Sequence, residues 1–401
     1  MIRNPLLRSP DGRRYLIAQL MDAIAGGLAM VVLPWVVLDA GGSRSLAGAA
    51  YLIGTVPYVV LGLPAGSTGD RWPRRRVMLA ATCVQAVSAV LLPAAVALGR
   101  PERELPLAFV FAAGLGVSAG RVYVDAAAFG AIARLVGGGH FVEGQAALSL
   151  VWSLGFLVGP ALGGALIGLV GPVQTLWLQT AGFVIAAALF AGIRTDLGPD
   201  EADRPERRGQ SGIRLVIRNP VLRRLTAVGM AWNLVVNLFY SLIVVYVRVQ
   251  LHAGGAAAGR MLALGGLTGL VGGSAAPAVR GWLGPSRALR CTLVANALAA
   301  AALALAGGLY TSTLAFGALE GTAILFITML IGERQVRAAP SEQARVGITG
   351  RMSALLAASV GALVASGLVA RWTPGQVFVV AAVCTACVAL ASLRALRIDL
   401  A

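Results

Sequence analysis

Residues 15–38 read Tyr15-Leu16-Ile17-Ala18-Gln19-Leu20-Met21-Asp22-Ala23-Ile24-Ala25-Gly26-Gly27-Leu28-Ala29-Met30-Val31-Val32-Leu33-Pro34-Trp35-Val36-Val37-Leu38, and only Gln19 and Asp22 interrupt the apolar run. A helix needs about 20 such residues to cross the hydrocarbon core of a bilayer. The run is too long for the apolar region of a secretory signal, and Arg3, Arg8, Arg13 and Arg14 before it form no signal-peptide pattern. It therefore predicts an uncleaved first membrane span.

Composition extends that reading to the whole chain. Of 401 residues, 58% are hydrophobic and 12% charged, with a mean hydropathy of +0.80. Soluble proteins carry about 25% charged residues, so too little polar surface is available here to cover soluble domains. The net charge of +16 would suit a nucleic-acid binder if it were gathered in one patch. Instead the arginines sit in short clusters between long apolar runs, which predicts a multi-pass protein with the lipid bilayer as partner and no nucleic acid. All 33 basic residues are Arg, beside abundant Ala and Gly. That bias points to a GC-rich bacterial source and hence to the bacterial cytoplasmic (inner) membrane. Cys83, Cys291, Cys384 and Cys387 all lie in apolar stretches, and His140 and His252 are far apart. The C-x-x-C at Cys384 reads as packing within a span, and no metal site or other cofactor is expected.

Breaks at charge and turn clusters give twelve spans: 15–38, 46–66, 77–98, 105–128, 145–169, 174–193, 224–248, 259–281, 288–306, 311–332, 348–370 and 376–393. With the N-terminus inside, only Arg44, Arg100, Arg103, Arg248, Arg260 and Arg371 fall outside, and Arg121 lies within a span. The remaining arginines are then inside, so both termini are expected to be cytoplasmic. The long polar segment 194–218, with Asp196, Asp200, Glu201, Asp203, Glu206 and two prolines, reads as a mostly flexible linker. It divides the chain into 1–193 and 219–401. Arg3-Asn4-Pro5-Leu6-Leu7-Arg8 reappears as Arg218-Asn219-Pro220-Val221-Leu222-Arg223 before the first span of the second half. The expected fold is an all-α membrane protein of two pseudo-symmetric six-helix bundles. Duplicated halves of this kind are one plan of secondary transporters, whose site lies between them near mid-membrane.

Two motifs carry the mechanism. The connection after span two, 66–76, has the form G-x-x-x-D-R-x-x-R-R-R, and span five holds Gly155-Phe156-Leu157-Val158-Gly159-Pro160-Ala161-Leu162-Gly163-Gly164. Glycines four apart allow close helix approach, and Pro160 frees a carbonyl. On residues alone, the first reads as a positive-inside anchor and the second as a small-residue packing face.

Together they resemble the signature loop and the antiporter motif of the major facilitator superfamily. The resemblance covers nearly the whole chain. Residues 125–164 and 333–347 are similar to the subgroup of drug, macrolide and siderophore exporters. Its usual Gly-Arg before span eleven is here Ala344-Arg345, with Gly350-Arg351 further on, and Pro73 stands where many members have Gly. The resemblance implies a conformational latch of Gly66, Asp70, Arg71 and Arg74, with Asp125 meeting Arg71 or Arg74. It also makes Gly155, Gly159, Pro160, Gly163 and Gly164 the antiporter motif and implies export. The corresponding connection in the second half, 280–290, has no acid, so a latch there is expected to be degenerate.

Charges inside spans supply the remaining candidates, because an ionised group at mid-bilayer costs about 2.5–3.5 kcal/mol. Asp22 in span one and Glu320 in span ten, between Gly317 and Gly321, are candidate proton-coupling acids, since desolvation penalises their charged forms. The alternatives are a structural hydrogen-bonding role for Asp22 and lipid-shielded pairing for Glu320. Gln19 shares a helix face with Asp22. Arg121 is placed to pair with Asp125 at i, i+4 or to bind an anionic group of a substrate. Asn233, Asn237 and Tyr240 form a polar stripe on span seven, suited to a substrate or to interhelical hydrogen bonds. Trp152 and Phe326 are candidate apolar walls, and Glu333 beside Arg334 reads as an interfacial ion pair.

The expected function is proton-driven export of a small amphipathic or hydrophobic compound by alternating access, with the chain acting as a monomer and not an enzyme. Lipid translocation, as a flippase or scramblase, and a transport-inactive sensor are the alternatives. No nucleophile–base–acid set and no ATP-binding motif is legible.

Overall fold

The computed structural model describes residues 5–99, 104–136, 140–198, 212–339 and 342–396. Twelve helices in it are long and apolar enough to cross a membrane. They are α1 Pro10–Asp39, α2 Arg44–Arg71, α3 Arg74–Ala97, α4 Leu107–Val136, α5 Phe141–Val170, α6 Pro172–Ala191, α7 Pro220–Val245, α8 Gly255–Leu283, α9 Pro285–Ala304, α10 Leu309–Val336, α11 Gln343–Val369 and α12 Pro374–Ala395. A π-helical turn, Tyr246–Gln250, extends α7. No strand occurs among the described residues. The all-α membrane fold read from the apolar runs is borne out, because in lipid a helix alone satisfies every backbone group of one segment.

Several helices begin before their apolar stretch, where polar caps satisfy the first N–H groups. The hydroxyl of Ser9 accepts a bond from the Gly12 amide (2.9 Å), with Pro10 opening α1. Asn219 Oδ1 accepts from the Val221 and Leu222 amides (3.0 and 3.2 Å), with Pro220 opening α7. The repeated hexapeptide is thereby put out of structural register. Pro220 opens a spanning helix, whereas Pro5 opens a four-residue helix, Pro5–Arg8, that ends before Ser9. The polar connection is also partly ordered: Gly212–Arg218 is helical, while residues 199–211, the core of the expected flexible linker, lie outside the described residues.

Contacts group the chain into two units, Met1–Gly42 with Ile53–Glu206, and Ser43–Leu52 with Arg207–Ala401. In the first, α1 packs on α5 and α6, and α3 on α4 and α6. Tyr15, Met78, Val124, Ile132 and Phe190 fill its core. In the second, α7 packs on α11 and α12, and α9 on α10 and α12, with α8 laid along α10. Leu225, Trp232, Leu293, Phe326 and Leu330 fill that core. The opening turns of α2 belong to the second unit, where Ser45 Oγ donates to the Ser366 carbonyl (2.6 Å).

A close approach between α1 and α5 explains the glycines of α5. A Cβ at Gly159 would fall 2.5 Å from the Ile24 carbonyl oxygen, and one at Gly155 would collide with Ala23. From the other side, a Cβ at Gly27 would lie 2.9 Å from the Gly155 oxygen and 3.0 Å from Pro160. Gly163 sits against Leu28, and Gly164 is buried. α1 and α5 therefore meet backbone to backbone, a contact that any larger residue would push apart.

Candidate functional site

Each unit holds a polar centre inside its apolar helices. In the first, Asp22 on α1 is wholly enclosed, and Arg121 on α4 reaches it: Nη1 lies 2.6 Å from Asp22 Oδ2. The same guanidinium donates through Nε to Asp125 Oδ1 (2.9 Å). The hydroxyl of Tyr58 on α2 donates to the other oxygen of Asp125 (2.6 Å). One planar cation thus bridges two carboxylates on two helices, the arrangement in which the rigid fork of Arg surpasses the point charge of Lys. A turn away, Gln19 is fully buried and accepts a bond from Trp152 Nε1 on α5 (3.1 Å). Trp152 stacks edge-on against Phe129.

The second centre is built differently. Glu320 on α10 is half-buried and lies within reach of the Tyr240 hydroxyl of α7. Tyr51, in the part of α2 that belongs to this unit, lies within electrostatic reach of the same carboxylate. Phe316 meets Tyr240 edge-on at 6.3 Å. Glu320 Oε2 is buried without a hydrogen-bond partner, and no described cationic side chain pairs with the group. Space for it comes from α8, where Gly265 and Gly269 face its Cγ.

The polar stripe on α7 is partly turned inward. Asn233 Nδ2 donates to the Gly229 carbonyl (2.9 Å) and Asn237 Nδ2 to the Asn233 carbonyl (2.7 Å), so both amides fold back on their own helix. Asn237 Oδ1 remains buried without a partner. Phe326, expected as an apolar wall, is completely enclosed against Trp232 (5.3 Å between ring centres), whose Nε1 donates to Asn296. Core packing accounts for its position.

At the helix ends, Gly66 and Arg71 are exposed, and the side chain of Asp70, the expected latch acid, lies outside the described residues. Arg74 is buried and donates through Nη1 to the Gly198 carbonyl (3.2 Å), while Arg75 reaches the Ala191 carbonyl (2.9 Å). Asp125 is met by Arg121 and by Tyr58.

The second unit holds an ion pair at the corresponding helix end. The connection 280–290 carries no acid, yet Arg280 is not idle: its Nε meets Glu333 Oε1 at 2.6 Å, and Arg337 clasps the other oxygen of Glu333. The acid is supplied by the end of α10, 53 residues away in sequence, so the ion-pair clasp is complete. Arg334, the sequence neighbour of Glu333, is not its partner.

Tyr58, Tyr51, Gln85 and Asp11 escaped the sequence reading. Gln85 is a buried polar residue in the middle of an apolar helix, and that alone could have flagged it. Asp11 accepts from the Arg194 and Thr195 amides (2.9 and 2.7 Å) and ties the start of α1 to the segment after α6, which nothing local announces.

Known proteins agree with this architecture. The chain is 32% identical over 219 residues to the multidrug efflux pump Tap of Mycobacterium tuberculosis, covering 52% of this chain and 52% of that protein. It is 28% identical over 225 residues to the protein of the same name from Mycolicibacterium fortuitum, covering 53% and 54%. These matches span about half the length of the curated relatives. Among solved structures, the nucleoside transporter NupG superposes with a TM-score of 0.78 at 12% identity, over 97% of this chain and 99% of that one. A bacterial homologue of the iron transporter ferroportin in an inward-facing state superposes with a TM-score of 0.75 at 15% identity, over 98% and 99%. The family model described as Major Facilitator Superfamily matches residues 15–334, and the chain belongs to that superfamily.

Proposed function

We propose that this protein is a secondary active exporter that moves a small amphipathic or hydrophobic compound out of the cell in exchange for protons. The reading places it in the bacterial inner membrane as a monomer with both termini cytoplasmic. Its two six-helix bundles, 1–193 and 219–401, would alternate access across the membrane, joined by the linker 194–218. The observation that carries the reading is the enclosure of Asp22 beside a guanidinium that also serves Asp125. A proton arriving at one carboxylate weakens its hold on Arg121 and leaves the cation to the other, so proton binding is converted into a change in how α1 and α4 are tied. Glu320 is the second coupling acid. Gln19, Arg121, Trp152, Asn233, Asn237 and Tyr240 remain the candidate substrate surface, and Asp70 with Arg71 and Arg74 the latch that biases which side is open. The names of the mycobacterial relatives support export of drug-like compounds.

The test is efflux of an amphipathic fluorescent dye from proteoliposomes under an imposed pH gradient. Asp22→Asn combined with Glu320→Gln is expected to lower the gradient-driven rate by about tenfold or more. Unchanged gradient-driven efflux in that double variant would remove proton coupling from the proposal.

A further inference from the structure

Arg334 lies near the end of α10, with 6% of its surface exposed. Its guanidinium extends between two helices: a Cβ at Gly229 on α7 would collide with Nη2, and one at Gly350 on α11 would collide with Nη1. Two glycines on separate helices thus form the slot that holds the group. Nε is buried without a hydrogen-bond partner, and no carboxylate among the described residues pairs with Arg334. The neighbouring acid, Glu333, is occupied on both oxygens by Arg280 and Arg337. Glu333 thus has both its oxygens paired, while Arg334, less exposed than either of those arginines, has no counter-charge among the described residues.

A second buried polar group, on α7, also lacks a partner. Thr226 lies one turn before Gly229 on α7, is 6% exposed, and its hydroxyl has no partner. Other buried threonines of these helices (Thr82, Thr292, Thr385) return their hydroxyls to the carbonyl four residues earlier. A buried cation without a counter-charge is strongly unfavourable, whereas the planar fork of Arg grips two oxygens of a phosphate or carboxylate at once.

We propose that Arg334, in the slot of Gly229 and Gly350 and with Thr226 one turn from Gly229 on the same helix, is an anion site that binds a phosphate group. That group is carried either by a phospholipid headgroup or by free inorganic phosphate. The site stands on the second unit alone and is independent of proton coupling.

The test is thermal unfolding of the purified full chain in neutral detergent. Phosphatidylglycerol, inorganic phosphate, or chloride at matched ionic strength is added to separate samples. A phosphate-bearing additive should raise the midpoint by about 3 °C at saturation, and chloride should not. A response to phosphatidylglycerol alone assigns the lipid headgroup, and a response to inorganic phosphate assigns the free ion. Arg334→Met should match or exceed wild-type stability without additive, because an apolar chain replaces an unpaired charge, and should lose the rise. Arg224→Gln, an exposed arginine on the same helix end as the slot, should keep it. If Arg334→Met does not fold, Arg334→Lys is read instead and should keep less than half of the rise. The proposal is overturned by no rise in wild type, by an equal rise with chloride, or by a full rise in the Arg334 variant. Loss of the rise in Arg224→Gln as well would assign it to general surface charge and overturn the site equally.

Discussion

The two polar centres use the same raw material, a carboxylate on a membrane helix, and treat it in opposite ways. Asp22 is held in ion contact with Arg121, whose other edge serves Asp125, and Tyr58 closes the remaining side. Among the described residues, Glu320 has the neutral hydroxyl of Tyr240 within reach, with Tyr51 nearby and glycines opposite. The difference lies in what removal of one member would strand. In the first unit, losing the cation leaves two buried carboxylates facing each other; in the second, losing the carboxylate leaves a phenol that a neutral group still satisfies. The first centre is therefore a structural tie as well as a candidate coupling site, and the second is free to change its occupant without unfolding its surroundings.

The sharpest way to break this contrast is Arg121→Gln, expected to lower stability by about 3–5 kcal/mol because a buried pair loses one partner. Thermal unfolding reads it, and a cost equal to that of Glu320→Gln would mean the two centres are not different in kind. Next in size is Gly159→Val, which asks whether the first centre depends on the α1–α5 backbone contact that carries Asp22. Forcing a branched side chain against the Ile24 carbonyl should cost about 1–3 kcal/mol, again read by melting. Tyr240→Phe removes a single neutral donor from Glu320 and should cost about 0.5–1.5 kcal/mol. The smallest stability change is expected for Glu320→Gln, within about 0.5 kcal/mol, since an amide oxygen can also accept from a nearby phenol and no counter-ion is stranded. A melting loss as large as that of Arg121→Gln would show that Glu320 holds a cation in the folded protein.

How far the residues alone carried the reading can be followed at particular positions. The spans were visible because about 20 apolar residues in a row have one stable solution in lipid. The glycines of α5 were legible because their spacing already places them on one helix face. The pairing of Arg121 with Asp125 was also legible, being local to one helix at i, i+4. Its reach to Asp22 was not, since 99 residues separate the two and only the packing of α1 against α4 brings them together. Phe326 looked like a cavity wall and is core, because a helix drawn alone does not reveal which face its neighbours cover. Glu333 was legible as an ion-paired acid, but its partner Arg280 was not, since it lies 53 residues away on α8 and reaches Glu333 only because α8 lies along α10.

The amino-acid order by itself determined that the chain is a bundle of membrane-crossing helices, where most of them begin and end, and which few polar groups each must bury. Those properties follow from hydrophobicity and capping, which act within one segment. Tertiary structure alone decided which buried charges share a partner, that Glu320 faces tyrosines rather than a cation, and that Arg334 is left between two glycines. A hydrogen bond or a direct ion pair needs its two groups within a few ångströms, so its assignment belongs to helix packing and not to position along the chain.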